Sequence, residues 1–223
     1  MIAAYQLDDA RFWLDRVEQI LDDEPKSQAS PLDLKSASLW NIEDGLAICR
    51  SMLALISGDI QQAAKFSKAA TSCLQEDNPF TRSLVSLEDS LYFTLLGDTV
   101  KTIETLRETA RIARGANNLL VLVVATCELA EMQAMQGHLS QALVTLQKAQ
   151  FMALGPDGSR LPLAGIVDNG FGEILRERDL LKEAKEYLER GCHLTQAWWS
   201  LSSLEGMVSL ARVLQSQGDI DGA

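Results

Sequence analysis

Small side chains return along this sequence at nearly constant intervals, and that rhythm restricts the fold more than any other feature. A turn residue, an acidic or polar neighbour and, five places after the turn residue, a small one occur in Gly58-Asp59 to Ala63, Gly97-Asp98 to Thr102, Gly137-His138 to Ala142 and Gly218-Asp219 to Ala223. A degenerate copy runs from Asp179 to Ala184, and another from Tyr5 to Ala10. The anchors 58, 97, 137, 179 and 218 are 39, 40, 42 and 39 residues apart, whereas the first interval, from 5 to 58, is 53. The polar, proline-bearing stretch Asp22 to Lys35 accounts for the extra length. Two further series keep step with the first: Ser51, Ser90, Ala130, Gly172 and Ala211 precede the small residue by twelve positions, and Val17, Ala70, Thr109, Ala149 and Gly191 follow it by seven. Three small positions in register are what two antiparallel helices need for close approach, because bulky groups there would force the axes apart.

Between those points the apolar residues follow helical spacing, as in Leu139, Leu143, Leu146 and Ala149, or Leu204, Met207, Leu210, Ala211 and Leu214. Breakers at Asn78-Pro79, Gly115 to Asn118 and Gly155 to Ser159 separate the units. The pattern predicts helix pairs at 39–57 with 59–75, 80–96 with 98–114, 118–136 with 139–153 and 162–178 with 180–194, and a last helix at 197–217. The expected fold is therefore all-α, a superhelix of about five and a half helix-turn-helix units with a concave inner wall, spanning 1–223 as one domain. The chain stops in the first turn of the helix that would pair with the last one, so a piece of a larger protein is expected.

Composition narrows the function. Thirty-one acidic against twenty basic side chains give a net charge of −11, which argues against direct nucleic-acid contact by this segment. The four cysteines and two histidines show no metal-ligand spacing, so no metal and no cofactor is expected, and reduced thiols point to the cytoplasm. Met1 to Trp13 carries Asp8, Asp9 and Arg11 where a secretion signal needs an apolar run. The apolar run Leu119 to Ala125 is far short of the roughly 18 residues of a membrane helix.

With their small residues at three fixed positions, the units resemble tetratricopeptide repeats, at a period longer than that family's usual 34. The stretch from Gly165 to Leu180, then Glu183 to Gly191 and Leu210 to Asp219, resembles the helical sensor region of the large ATP-dependent LuxR-type, MalT-like transcription regulators. Those regulators carry an ATPase domain, a tetratricopeptide-like superhelix and a helix-turn-helix domain, and ATP with an inducer drives their self-association. The resemblance implies a non-catalytic sensing or docking surface, with possible self-association. Neither a GxxxxGK[ST] motif nor a recognisable DNA-binding tail is present, so ATP hydrolysis and DNA contact are not carried over.

Candidate chemistry reduces to one wall. Gly155 to Ser159 lacks the lysine of a phosphate-binding loop and reads as a turn, and Gly170-Phe171-Gly172 reads as helix contact. Lys101, Arg107, Arg111 and Arg114 share a helix with Glu104 and Glu108 and read as an ion-paired face. His138 and His193 lack ligand partners, and Glu128 with Glu131 has nothing in sequence to mark it as desolvated. Taking positions two, five, nine and twelve of each first helix as inward-facing, the early repeats offer Ile48, Met52, Leu55, Leu84, Leu87 and Leu91. The later ones offer Glu131, Asn169, Glu173, Arg176, Glu205, Arg212 and Gln215. Two readings of the polar half stand side by side. In one, Asn169, Glu173, Arg176 and Arg212 bind a small polar effector such as a saccharide, beside Glu131 and Trp198; in the other, Glu173, Arg176 and Arg212 form a salt-bridge ladder. Trp198 and Trp199 read either as a stacking surface or as packed between repeats. The apolar half supports a rival function, a scaffold that receives a protein partner.

Overall fold

In a computed structural model, residues 2–23, 42–73, 78–196, 200–219 and 222 are described. They form ten helices: α1 (Ile2–Asp23), α2 (Ile42–Ile56), α3 (Ile60–Cys73), α4 (Pro79–Leu95), α5 (Thr99–Gly115), α6 (Leu119–Met135), α7 (Leu139–Met152), α8 (Ala164–Glu177), α9 (Leu181–Thr195) and α10 (Ser200–Ser216). The fold is an all-α helical repeat, and the helices lie within a few residues of the positions expected from sequence. Among the described residues the only β-pairing is an isolated bridge, Leu154 to Arg160.

The repeat anchors are helix stops. Gly58, Gly97, Gly137 and Gly218 all have φ between 73° and 82°, and Asp179 takes the same left-handed conformation at φ 61°. At each of them the next backbone N–H reaches back five residues, as from Asp98 to Phe93 O at 3.0 Å and from Leu180 to Leu175 O at 3.0 Å. This closes the first helix and aims the second back along it, which is why the hairpins share one geometry. Tyr5, by contrast, is no turn. It lies inside α1, because Tyr5-Gln6-Leu7 offers neither Gly nor Asp for a left-handed stop. The Asp22 to Lys35 insertion falls largely outside the described residues.

The small residues lie where helices meet. Ser51, Ser90 and Ala130, with Ala63, Thr102, Ala142 and Ala184, and with Thr109 and Ala149, are all buried. Gly172 shows how tight the approach is: a Cβ there would collide with Leu188 Cγ and lie 3.1 Å from Ala184 O. Val17, in contrast, is exposed, Ala211 is half-buried, and the side chain of Ala70 lies outside the described set.

The helices divide into two compact units, Met1–Asn118 and Leu119–Ala223. In the first, α2 pairs with α3 and α4 with α5, while α2 and α3 both pack on α4. Arg50 anchors α1 to α2 through Asp15 at 2.9 Å and Glu18 at 2.6 Å. The expected inward-facing apolar residues of this unit are used internally: Ile48 packs with Val85 and Leu84, and Leu55 with Ala54, Ala63, Leu91 and Tyr92.

In the second unit α6 pairs with α7 and α8 with α9, and α10 packs on both α8 and α9. Its core joins Val123, Ala130, Leu146, Ala149, Val167, Phe171 and Ile174, and Leu188 meets Val213 below them. Each fully buried Leu or Phe contributes about 1.5–3 kcal/mol. The α7–α8 connection is pinned by Asp168, fully buried on α8, which accepts hydrogen bonds from Arg160 of the connection and from Arg190 Nε of α9 at 2.7 Å. Gly155 to Ser159 closes on itself, with Gly155 N–H on Ser159 O at 2.7 Å, as a turn would.

Candidate functional site

In the second unit the first helices of successive hairpins lie side by side, α6 against α8 and α8 against α10. That arrangement gathers four carboxylates with one shared electrostatic environment: Glu128 and Glu131 from α6, Glu173 from α8 and Glu205 from α10. Burial pushes Glu128 up to about 7, and the charges of Glu131 and Glu205 add to the rise. Glu131 and Glu205 are exposed at the rim of this group, where partial desolvation raises both, with Glu173 adding to the rise of Glu131 and Glu131 to that of Glu205. Like charges that crowd in a partly dehydrated wall favour the protonated form.

Glu173 is the exception. Burial pushes its carboxyl up, yet hydrogen bonds from Arg176 and Ser209 and the charges of Arg176 and Arg212 outweigh this and hold it low. Arg176 donates through Nε at 3.1 Å and Nη2 at 2.7 Å to Glu173 and also pairs with Glu177, while Arg212 Nη1 stands 3.8 Å from Glu173. The salt-bridge ladder read from the sequence is therefore formed. It links α8 to α10, and Arg212 remains more than half exposed at its outer edge.

Asn169 turns away from this wall. Its Nδ2 donates to Ser202 O at 2.8 Å and to Ser202 Oγ at 3.2 Å, and its Oδ1 sits against Gly191 and Gly206, where a Cβ would collide with it. Asn169, expected as an effector contact, is buried: its Nδ2 fastens α10 to α8, and its Oδ1 has no hydrogen-bond partner among the described residues. Trp198 and Trp199 lie outside the described residues.

Glu128 is what sequence reasoning missed. Its spacing to Glu131 is commonplace on helices, and only the packing of α8 against both α6 and α10 creates the surroundings in which it loses its water. No local signal in the sequence would have singled it out. Other candidates resolve as ordinary surface. Arg111 pairs with Glu108, Lys101 pairs with Asp98 at 2.9 Å, and His138 and His193 are exposed. Among the described residues no three His, Cys, Asp or Glu side chains are placed to hold a metal ion, and no helix is long and apolar enough to cross a membrane.

A family model described as the MalT-like TPR region matches residues 45–223. The chain belongs to the MalT-like TPR family. The MalT-like TPR match begins in α2 and takes in the whole carboxylate wall. Among solved structures, the chain is similar to BtubC (BKLC) from P. vanneervenii, with a TM-score of 0.59 at 14% identity, covering 100% of this chain and 87% of that one. It is also similar to a Podosopora anserina protein with nearly identical TPR-like repeats, with a TM-score of 0.51 at 16% identity, covering 82% and 91% of the two chains. At these identities the likeness establishes the fold alone. No match was found among curated proteins. A helical-repeat sensor or interaction domain is the function that this family and fold define.

Proposed function

We propose that this chain is the effector-binding domain of a LuxR-type transcription regulator, with the carboxylate wall of the second unit as its binding surface. Membership of the MalT-like TPR family supports the regulator role. The observation that carries the binding reading is the meeting of Glu128, Glu131, Glu173 and Glu205 from three neighbouring helices, with Arg176 and Arg212 ranged along Glu173.

Crowded carboxyls without counter-charges are costly, and a ligand that supplies hydrogen-bond donors relieves them. Carboxyl acceptors set beside guanidinium donors match hydroxyl groups, which both donate and accept. A small hydroxyl-rich effector such as a saccharide fits that mixture. In this reading residues 1–223 act in the cytoplasm as one non-catalytic domain of a larger regulator, without nucleic-acid contact of their own.

The test is a thermal-shift screen of mono- and oligosaccharides on the wild type and on a variant carrying both Arg176→Ala and Arg212→Ala. A saturable stabilisation that the double variant abolishes is the expected result. Equal shifts in both proteins, or none with any member of the series, would reject the wall as the site.

One observation favours a second reading, a scaffold for a protein partner: Leu204, Met207 and Val208 are exposed together on α10. A scaffold would change its hydrodynamic size with a protein partner and show no saturable response to small molecules.

A further inference from the structure

The first unit contains a cavity of about 240 Å³ at the junction of α2, α3 and α4. Ser51 and Leu55 of α2 line it, with Ala63 and Ala64 of α3 and, from α4, Glu88 and Tyr92 one helical turn apart. Apart from the adjacent acids Glu88 and Asp89 its lining is small or apolar, and of the two Glu88 is the conspicuous one because it is buried. The side chain is 1% exposed, and among the described residues neither carboxyl oxygen has a hydrogen-bond partner of good geometry. The neighbouring Ser51 hydroxyl donates to Ala63 O at 3.3 Å, and it is close enough to Glu88 to oppose only part of the rise that burial imposes on the carboxyl.

A carboxyl in that position is expensive. A buried polar group without a partner costs on the order of 1–3 kcal/mol, and more if charged. Helix packing does not require an acid here. The three small-residue series that set the hairpin geometry are complete without it, and Leu or Met would fill the same volume with better burial. What an acid adds is an acceptor, and a negative charge when ionised, just behind the wall of a space large enough for a guest, which meets it once the side chain turns toward that space. A void of about 150 Å³ already holds a benzene ring.

From the cavity, its apolar lining and the unpartnered carboxyl behind its wall, we infer that this pocket binds a small organic ammonium ion, with Glu88 as its counter-charge. The ammonium donates to the Glu88 oxygens, and its hydrocarbon part lies against Leu55, Ala63, Ala64 and the Tyr92 ring. Asp89, adjacent on α4 and also part of the lining, adds negative charge that favours a cation over an anion. An aromatic ring beside a carboxylate is a familiar arrangement for ammonium recognition, since both attract positive charge. A neutral guest of the same shape gains the apolar contact and forgoes the ion pair. This site is separate from the carboxylate wall and does not depend on the reading given for it.

The experiment uses the full chain at pH 7.5 and constant ionic strength. The probes are n-butylammonium and benzylammonium chloride, with n-butanol and benzyl alcohol as neutral counterparts. Calorimetry and thermal melts of the wild type are compared with Glu88→Gln, and the Glu88 carboxyl carbon is followed by NMR in the wild type. We expect saturable binding of at least one ammonium and at least tenfold weaker binding of its alcohol. Glu88→Gln is expected to weaken the ammonium at least tenfold, and saturating ammonium to lower the midpoint of Glu88 titration in the wild type by a pH unit or more. Alcohols that bind as well as ammonium ions, a Glu88→Gln variant that keeps wild-type affinity, or an unmoved carboxyl titration would each overturn the inference. The NMR readout stands even where the variant folds poorly. The Arg176→Ala, Arg212→Ala variant should bind the ammonium as the wild type does, which separates the two sites.

Discussion

Glu88 should make the first unit less stable as the solution becomes more alkaline. Burial pushes its carboxyl from 4.5 up to about 8, with the Asp89 charge adding to the rise and the Ser51 hydroxyl opposing it. In the unfolded chain the same carboxyl titrates at the ordinary value. Between pH 4.5 and 8 the native state therefore holds a proton that the unfolded state has lost, so stability falls as pH rises through that window. At about 1.4 kcal/mol per tenfold difference in proton affinity, the whole window is worth roughly 3–5 kcal/mol. That is a large part of the 5–15 kcal/mol typical of a domain. Glu128, raised to about 7, acts in the same direction within the second unit, so the comparison must isolate Glu88. Denaturant unfolding of wild type and Glu88→Gln at intervals from pH 5 to 8.5, with amide exchange in α2 and α4 as the local readout, does so. The expected wild-type curve loses a few kcal/mol more than the variant across the range, nearly all above pH 5. Parallel curves for the two proteins, or a variant whose exchange in α2 and α4 keeps the wild-type pH slope, would refute the reasoning.

Further predictions concern the hairpin geometry. Asp179 holds a left-handed backbone at φ 61° where the other anchors use glycine, so Asp179→Gly should stabilise the chain by about 1 kcal/mol, read as a rise in Tm of roughly 2–4 °C. Gly172→Ala should cost about 1–3 kcal/mol in denaturant unfolding, because the new Cβ meets Leu188 and Ala184 O. Gly115→Ala meets open space and should be neutral or slightly stabilising. Asp168→Ala should cost about 2–3 kcal/mol and speed amide exchange across 155–163, since Arg160 and Arg190 lose the acceptor that pins the connection to α8 and α9. The loss stays below the 3–5 kcal/mol usual for a broken buried pair, because both arginines can turn to water.

The sequence by itself determined the repeat, because the hairpin is a local object. A left-handed stop at Gly58, Gly97, Gly137, Asp179 and Gly218, with small residues at fixed distances on either side, sets helix direction and closeness within some thirty residues of chain. Where the stop residue was missing, at Tyr5, the repeat reading failed and the helix ran on. The ladder of Glu173, Arg176 and Arg212 was legible for a related reason, since Glu173 and Arg176 are i,i+3 neighbours and the repeat period brings Arg212 alongside. Only the tertiary structure decided which polar residues face a neighbour and which face a space. Asn169 and Glu173 are one helical turn apart, yet the first is clasped by Ser202, Gly191 and Gly206 of two other helices and the second is left to the wall. Glu88 and Glu128 look in sequence like any exposed helical acid. Their dehydration is set by side chains more than twenty residues away, and desolvation, unlike helical periodicity, depends on what the rest of the chain places around a group.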